Sequence, residues 1–289
     1  MSEFLSFRGP SPALTWYGGE GLNQRIELSG KVCLNHLSKI ANYLSFECDL
    51  GQESILVIDL PASWKGTLWA CAGLLLGAQI VFISGDRQNS LIHIGADSNT
   101  AGISGKSDSF TAETALEGEC VLLTDRPDYW VAGAGSAIAA EAVIEIIALN
   151  LASLAFGWDR ELPDNVLDGQ AEVIAQPDVL LSEEHFTESN WADFVCADGT
   201  ETAGIKTDNT ASTVLPDRIS ARFPTAVPET EILAQDSAAA RCAFQTFSAR
   251  GMFTAVLTSW VNGDTPLVIT AAGNPVSVLK SEGFGEYSK

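Results

Sequence analysis

Two near-continuous apolar runs, close together, constrain this chain more than any other feature. "SILVIDLP" (residues 54–61) and "QIVFISG" (79–85) are each long enough for one buried strand and too short for a membrane span. Strands buried on both faces lose the in–out alternation of a half-exposed strand and belong to parallel sheets. Between them, Trp64 to Leu76 has the length and spacing of a helix, and Gly77 stands where a helix ends. Strand, helix and strand form a βαβ unit, so Ile55 to Leu60 and Ile80 to Ile83 are expected to pair in parallel through a right-handed crossover.

The flanking sequence extends an α/β pattern. Leu14 to Tyr17 and Arg25 to Leu28 bracket a Gly-rich turn and read as a hairpin. Ser29 is placed to cap a helix whose apolar face is Cys33, Leu34, Leu37, Ile40, Ala41 and Leu44. "SLIHIG", "ECVLLTD" and the run from Val143 read as further strands, and "GSAIAAEAV" as helical. "GWDRELPDNVLDGQ" reads as a loop. Glu229 to Phe247 places Ile232, Leu233, Ala240 and Phe244 on one helical face. "FTAVLTSWVNGDTPLVITAAG" reads as a helix, a turn at Gly263 and a final strand. The expected architecture is one α/β domain over residues 1–289, mostly parallel sheet with βαβ units, with two lobes of about 1–150 and 151–289.

Charge narrows the function classes. Lys plus Arg number 16 against 37 Asp plus Glu, a formal charge of −21 over 289 residues. Such a field repels polyanions, which disfavours nucleic-acid binding and anionic membrane surfaces. An apolar fraction of 46% supplies a full core. The six cysteines, at positions 33, 48, 71, 120, 196 and 242, include no CxxC pair and read as buried thiols in a reducing cytosol. The N-terminus lacks the basic start and long apolar run of a signal peptide, so a cytoplasmic protein is expected.

The segment from Arg25 to Ile83 resembles the opening of the adenylate-forming (AMP-binding) enzymes. Leu28, Ser29, Asn42, Leu44, Leu60, Pro61, Gly77, Ala78 and Val81 fill the places of that family's helix, strand, helix and strand. "LSGKVCLNHLSKIANYL", "LPASW" and "IIALNLASLAFGWDRELPDNVLDGQAEVIAQPDVL" are similar to a short actinobacterial family of unknown function related to the N-terminal domain of those enzymes. The resemblance implies the fold of their N-terminal subdomains. It covers roughly half the chain and carries no chemistry.

Chemistry in that family needs a small-residue loop whose amides approach phosphate, with a lysine adding charge. The nearest match is "DGTETAGIK", in which Gly199, Thr200, Thr202, Gly204 and Lys206 fit with one insertion. Asp198 and Glu201 oppose the function. Two unit charges ~4 Å apart at an effective dielectric of ~20 interact by about 4 kcal/mol, here repulsively toward a triphosphate. The segment is expected to be a mobile surface loop with no phosphate on its amides. The family's ribose-binding and catalytic-lysine elements have no match, so the chain reads as truncated relative to those enzymes.

Other constellations are weaker. "GAGS" (133–136) has Ile138 where a dinucleotide fingerprint needs a small residue. His36, His93 and His185 are dispersed, and no metal site is expected. Trp64 and Trp69 read as core or interface aromatics, and Lys39 as a solvated helix charge. Three functions compete. The first is a non-catalytic binding or protein-interaction module with no cofactor, acting as a homo-oligomer or with a protein partner. The second is an acid-adenylating half-enzyme of ligase type that takes ATP or AMP and needs a partner chain. The third is a dinucleotide-dependent enzyme.

Overall fold

The computed structural model describes residues 1–83, 120–133, 136, 139, 143–182 and 230–284. Helix α1 (Ser2–Arg8) leads into a hairpin of β1 (Pro12–Gly18) and β2 (Gln24–Ser29), then α2 (Gly30–Glu47). Strand β3 (Ile55–Asp59), α3 (Trp64–Leu75) and β4 (Gln79–Phe82) follow. Next come β5 (Cys120–Thr124), α4 (Pro127–Val131), β6 (Val143–Ala148), β7 (Val166–Asp168) and α5 (Gly169–Ile174). The last elements are β8 (Thr230–Asp236), β9 (Arg241–Thr246), α6 (Ala249–Asn262), β10 (Thr265–Ile269) and α7 (Pro275–Ser281).

Two compact units emerge. Among the described residues the first takes in 1–37, 61–71 and 230–284, and the second 38–60, 72–83, 120–133 and 143–182. The second unit holds a five-stranded sheet in the order β4-β3-β5-β6-β7, with every pair parallel. Its central strands β3 and β5 are buried along their whole length, as their apolar runs require. Ile55, Val57, Val81, Cys120, Leu122 and Trp130 form one core layer against it. The expected pairing of the two apolar runs is present: Ile55 to Ile58 run parallel to Gln79 to Phe82, with α3 between them in sequence. Gly77 adopts φ 81°, the left-handed conformation that ends the helix.

The first unit holds a mixed sheet in the order β2-β1-β10-β9-β8. The expected β1–β2 hairpin pairs Leu14 with Leu28 and Tyr17 with Arg25. Ser29 Oγ accepts from the Val32 amide at 3.3 Å, the expected cap of α2. Of the face assigned to α2, Cys33, Leu37, Ile40, Ala41 and Leu44 are buried and Leu34 is half-buried. The helix α6, the turn at Gly263 (φ 83°) and strand β10 also form as expected. The α6 indole of Trp260 donates to the Ala13 carbonyl of β1 at 2.7 Å. Cys33, Cys48, Cys71, Cys120 and Cys242 are buried thiols.

Two expectations of secondary structure are overturned. The helix expected over Glu229 to Phe247 is absent from the described residues 230–247. Residues 230–246 form the antiparallel β8–β9 hairpin, with Ile232 opposite Phe244. Its Ala, Glu, Leu and Gln favour helix, but that preference amounts to a few tenths of a kcal/mol per residue, about what one strand pairing outweighs. The turn is set by Asp236, whose carboxylate accepts from the Ala239 amide at 3.0 Å and pairs with Arg241 at 3.2 Å. The amide bond and the guanidinium hold Asp236 below the usual carboxylate range. "GWDRELPDNVLDGQ" is not wholly loop either. It contains β7 and the start of α5, whose N-cap Asp168 accepts from the Gln170 and Ala171 amides.

Candidate functional site

An open parallel sheet receives ligands beyond the carboxyl ends of its strands, where successive connections diverge. In the order β4-β3-β5-β6-β7 that point lies between β3 and β5. Strand β3 ends in Asp59, with no solvent exposure, and β5 ends in Thr124, equally buried. A carboxylate at the end of such an apolar strand is the informative buried residue of this unit.

Four donor contacts converge on Asp59. Its Oδ2 accepts from Thr124 Oγ1 (2.9 Å), Arg126 Nε (2.8 Å) and Trp130 Nε1 (2.7 Å). Its Oδ1 accepts from Arg126 Nη2 at 2.9 Å. Arg126 thus grips both carboxylate oxygens, the geometry in which guanidinium and carboxylate attract most strongly. Its other face lies 4.3 Å from the Tyr129 ring centroid. The local sequence explains the placement. Thr124 Oγ1 accepts from the Arg126 amide at 3.1 Å, turning the chain, and Pro127 opens α4 at its first turn. That short helix delivers Tyr129 and Trp130 against the pair. Buried charges are tolerated only when paired and hydrogen-bonded, and here they are. The arrangement locks the ends of β3 and β5 together and leaves Asp59 committed to the protein's own donors. It is a structural latch, unsuited to general-base work.

The neighbouring strand ends are organised in the same way. At the end of β6, the Asn150 amide donates to Gln170 Oε1 (2.8 Å) and Gln170 Nε2 returns a bond to the Asn150 carbonyl (2.6 Å). Asp168, ending β7, accepts from the Trp158 amide at 2.7 Å.

Lys39 is not the solvated charge expected. Its ammonium donates to the carbonyls of Ile174 (3.0 Å) and Gln176 and pairs with Asp178 at 3.0 Å. It thereby caps the carboxyl end of α5, where a cation is favoured. Asn42, one turn along α2 and fully buried, donates to the carbonyls of Pro177 and Val179 and accepts from the Leu181 amide. Trp64 and Trp69 are buried, as expected, and His36 meets the Trp64 ring edge-on at 5.9 Å. Lys65 lies beside that indole, 5.7 Å from its centroid, and burial pulls its ammonium down to about 8. In "GAGS", both the amide and the hydroxyl of Ser136 donate to the Gly133 carbonyl, and α4 separates the motif from β5. Gly199, Thr200, Thr202, Gly204 and Lys206, with His93, His185 and Cys196, lie outside the described residues. Among the described residues no group of three His, Cys, Asp or Glu is placed to hold a metal.

Asp59, Thr124 and Arg126 were absent from the sequence-derived site. Their signal was present: a charge closing an apolar run before "LP", and "TDRP" closing another. Only the sheet order makes the two neighbours.

A five-stranded parallel sheet with βαβ units in one unit and a mixed sheet in the other define the class, an α/β fold. No family model and no curated protein matches the sequence. Among solved structures, an acyl-CoA synthetase from Brucella canis superposes on 96% of this chain with a TM-score of 0.57 at 13% identity. This chain spans 44% of that one. An amide bond synthetase from Marinactinospora thermotolerans aligns over 97% of this chain and 45% of its own at 13% identity, with a TM-score of 0.46. At 13% identity the likeness to the Brucella synthetase concerns the fold alone, and that fold agrees with what the resemblance of Arg25 to Ile83 implies.

Proposed function

We propose that this chain is a non-catalytic module of the adenylate-forming fold that acts by binding, with a protein partner and without a cofactor. One observation carries the reading. At the point of the parallel sheet where a ligand crevice would open, Asp59, Thr124, Arg126 and Trp130 are bonded to one another. Catalysis needs groups free to meet a reacting ligand. These groups are engaged within the protein. The sequence adds a second support: Asp198 and Glu201 oppose phosphate in the loop carrying Gly199, Thr200, Thr202, Gly204 and Lys206. Five buried thiols suit a reducing, cytoplasmic setting.

The test is ATP–pyrophosphate exchange by the purified chain with a panel of acyl and aryl acids, beside thermal shifts with ATP, AMP, NAD and acyl-CoA. No exchange and no shift is the expected result, since a ligand that binds the native state raises its melting temperature. Robust exchange lost in Lys206→Ala would overturn the reading.

A second reading is favoured by coverage: the chain spans 44% of the Brucella synthetase. An acid-adenylating half-enzyme would show exchange only when a partner chain is added, and the same assay with that chain present separates the two.

A further inference from the structure

The connection between β6 and β7 presents two large apolar side chains outward from a loop that the protein has fixed in shape. Leu154 is 82% exposed and Phe156 78%. A single exposed apolar residue needs no explanation, but here two, separated in sequence only by Ala155, project from one tied loop. The ties are specific. Asn150 Oδ1 accepts from the Ala152 amide (3.0 Å) and its Nδ2 donates to the Gly157 carbonyl (3.2 Å), which closes the loop on both sides of the pair. The Ala155 amide donates to the Ala152 carbonyl at 3.0 Å. Gln170 and Asp168 anchor the two ends through Asn150 and Trp158. Gly157 is seated so closely that an added Cβ would lie 2.9 Å from Asp168 Oδ2. A loop whose backbone is already tied loses little backbone entropy when its side chains dock, which favours an interface anchor.

We propose that Leu154 and Phe156 form a preorganised docking knuckle for a protein partner whose apolar pocket is rimmed by basic side chains. The proposal rests on the reading of this chain as an interaction module and names the surface and the partner's chemistry. Charge selects the occupant. The exposed residues that follow the pair carry Asp159, Glu161 and Asp164 against one arginine, Arg160, which sits over the Trp158 ring at 5.4 Å. With a formal charge of −21, a second copy would bring acid to acid, and an anionic bilayer would be repelled. A basic-rimmed protein pocket satisfies both the apolar pair and the acidic border.

The experiment places a photoreactive benzoylphenylalanine at position 156 of the full chain, and at the exposed Phe7 of α1 as control, in cells. Adducts are identified by mass spectrometry, and each partner is purified and titrated against the chain at low and high salt. The expected result is a protein adduct from position 156 and none from position 7. Binding should fall at least about tenfold in Leu154→Ser/Phe156→Ser, and again on raising salt. The double variant should keep its melting temperature, since neither side chain is buried. No adduct, an adduct to a second copy, flotation with zwitterionic vesicles abolished by the double variant, or a partner whose affinity ignores that variant would each overturn the proposal. Exchange activity in the earlier assay would remove the non-catalytic reading without touching this result, and a missing adduct in an inactive chain would remove only the knuckle.

Discussion

Asp59 is a fully buried carboxylate that receives four donor contacts. Removing one partner of a buried, hydrogen-bonded ion pair leaves an uncompensated charge, at a cost of roughly 3–5 kcal/mol. Asp59→Asn keeps the shape but loses the charge facing Arg126, and an amide nitrogen would face some of the four donor contacts now made to oxygen. We expect a loss of about 3 kcal/mol, because Arg126 retains the Tyr129 face and some solvent. Urea denaturation of the variant checks it, and a change below about 1 kcal/mol would show that the latch is dispensable. The residue was legible in the sequence only as an oddity, a carboxylate closing an apolar run. What it does depends on Arg126, 67 positions away.

At the scale of elements, helix α2 shows how one face can be readable while another is not. Its apolar positions follow from spacing alone, and the buried ones match. Its polar face carries Lys39 and Asn42, which together hold the chain from Ile174 to Leu181. A polar residue on a helix looks the same in sequence whether it meets water or another segment's backbone. Asn42→Ala would remove three part-buried hydrogen bonds, to the Pro177 and Val179 carbonyls and from the Leu181 amide, at about 0.5–1.5 kcal/mol each. We expect a total loss of about 2–4 kcal/mol, measured by denaturation. Hydrogen exchange should show faster exchange at Leu181 than at the β3 amides. Unchanged exchange at Leu181 would rule out the clamp. The β8–β9 hairpin teaches the converse. Its residues satisfy a helical template, yet the pairing of Ile232 with Phe244, and of β9 with β10, decided for strand.

The whole molecule carries a formal charge of −21, and that excess opposes compaction through self-repulsion. Raising ionic strength from about 10 mM to about 150 mM shortens the screening length from ~30 Å to ~8 Å. The melting temperature should therefore rise by a few degrees over that range, as followed by calorimetry. A fall would mean that attractive surface pairs such as Arg25 with Glu282 outweigh the net repulsion. The sequence by itself determined the βαβ unit, the first hairpin, the cap of α2 and the terminal helix–strand pair. Each is fixed by apolar period and turn chemistry acting over a few residues. The tertiary structure alone decided the strand order that makes β3 and β5 neighbours, the latch between Asp59 and Arg126, the strand identity of residues 230–246 and the outward display of Leu154 and Phe156. The first two rest on contacts between positions far apart in the chain, and the others on side-chain ties and on competition between local preference and sheet pairing, which local periodicity does not encode.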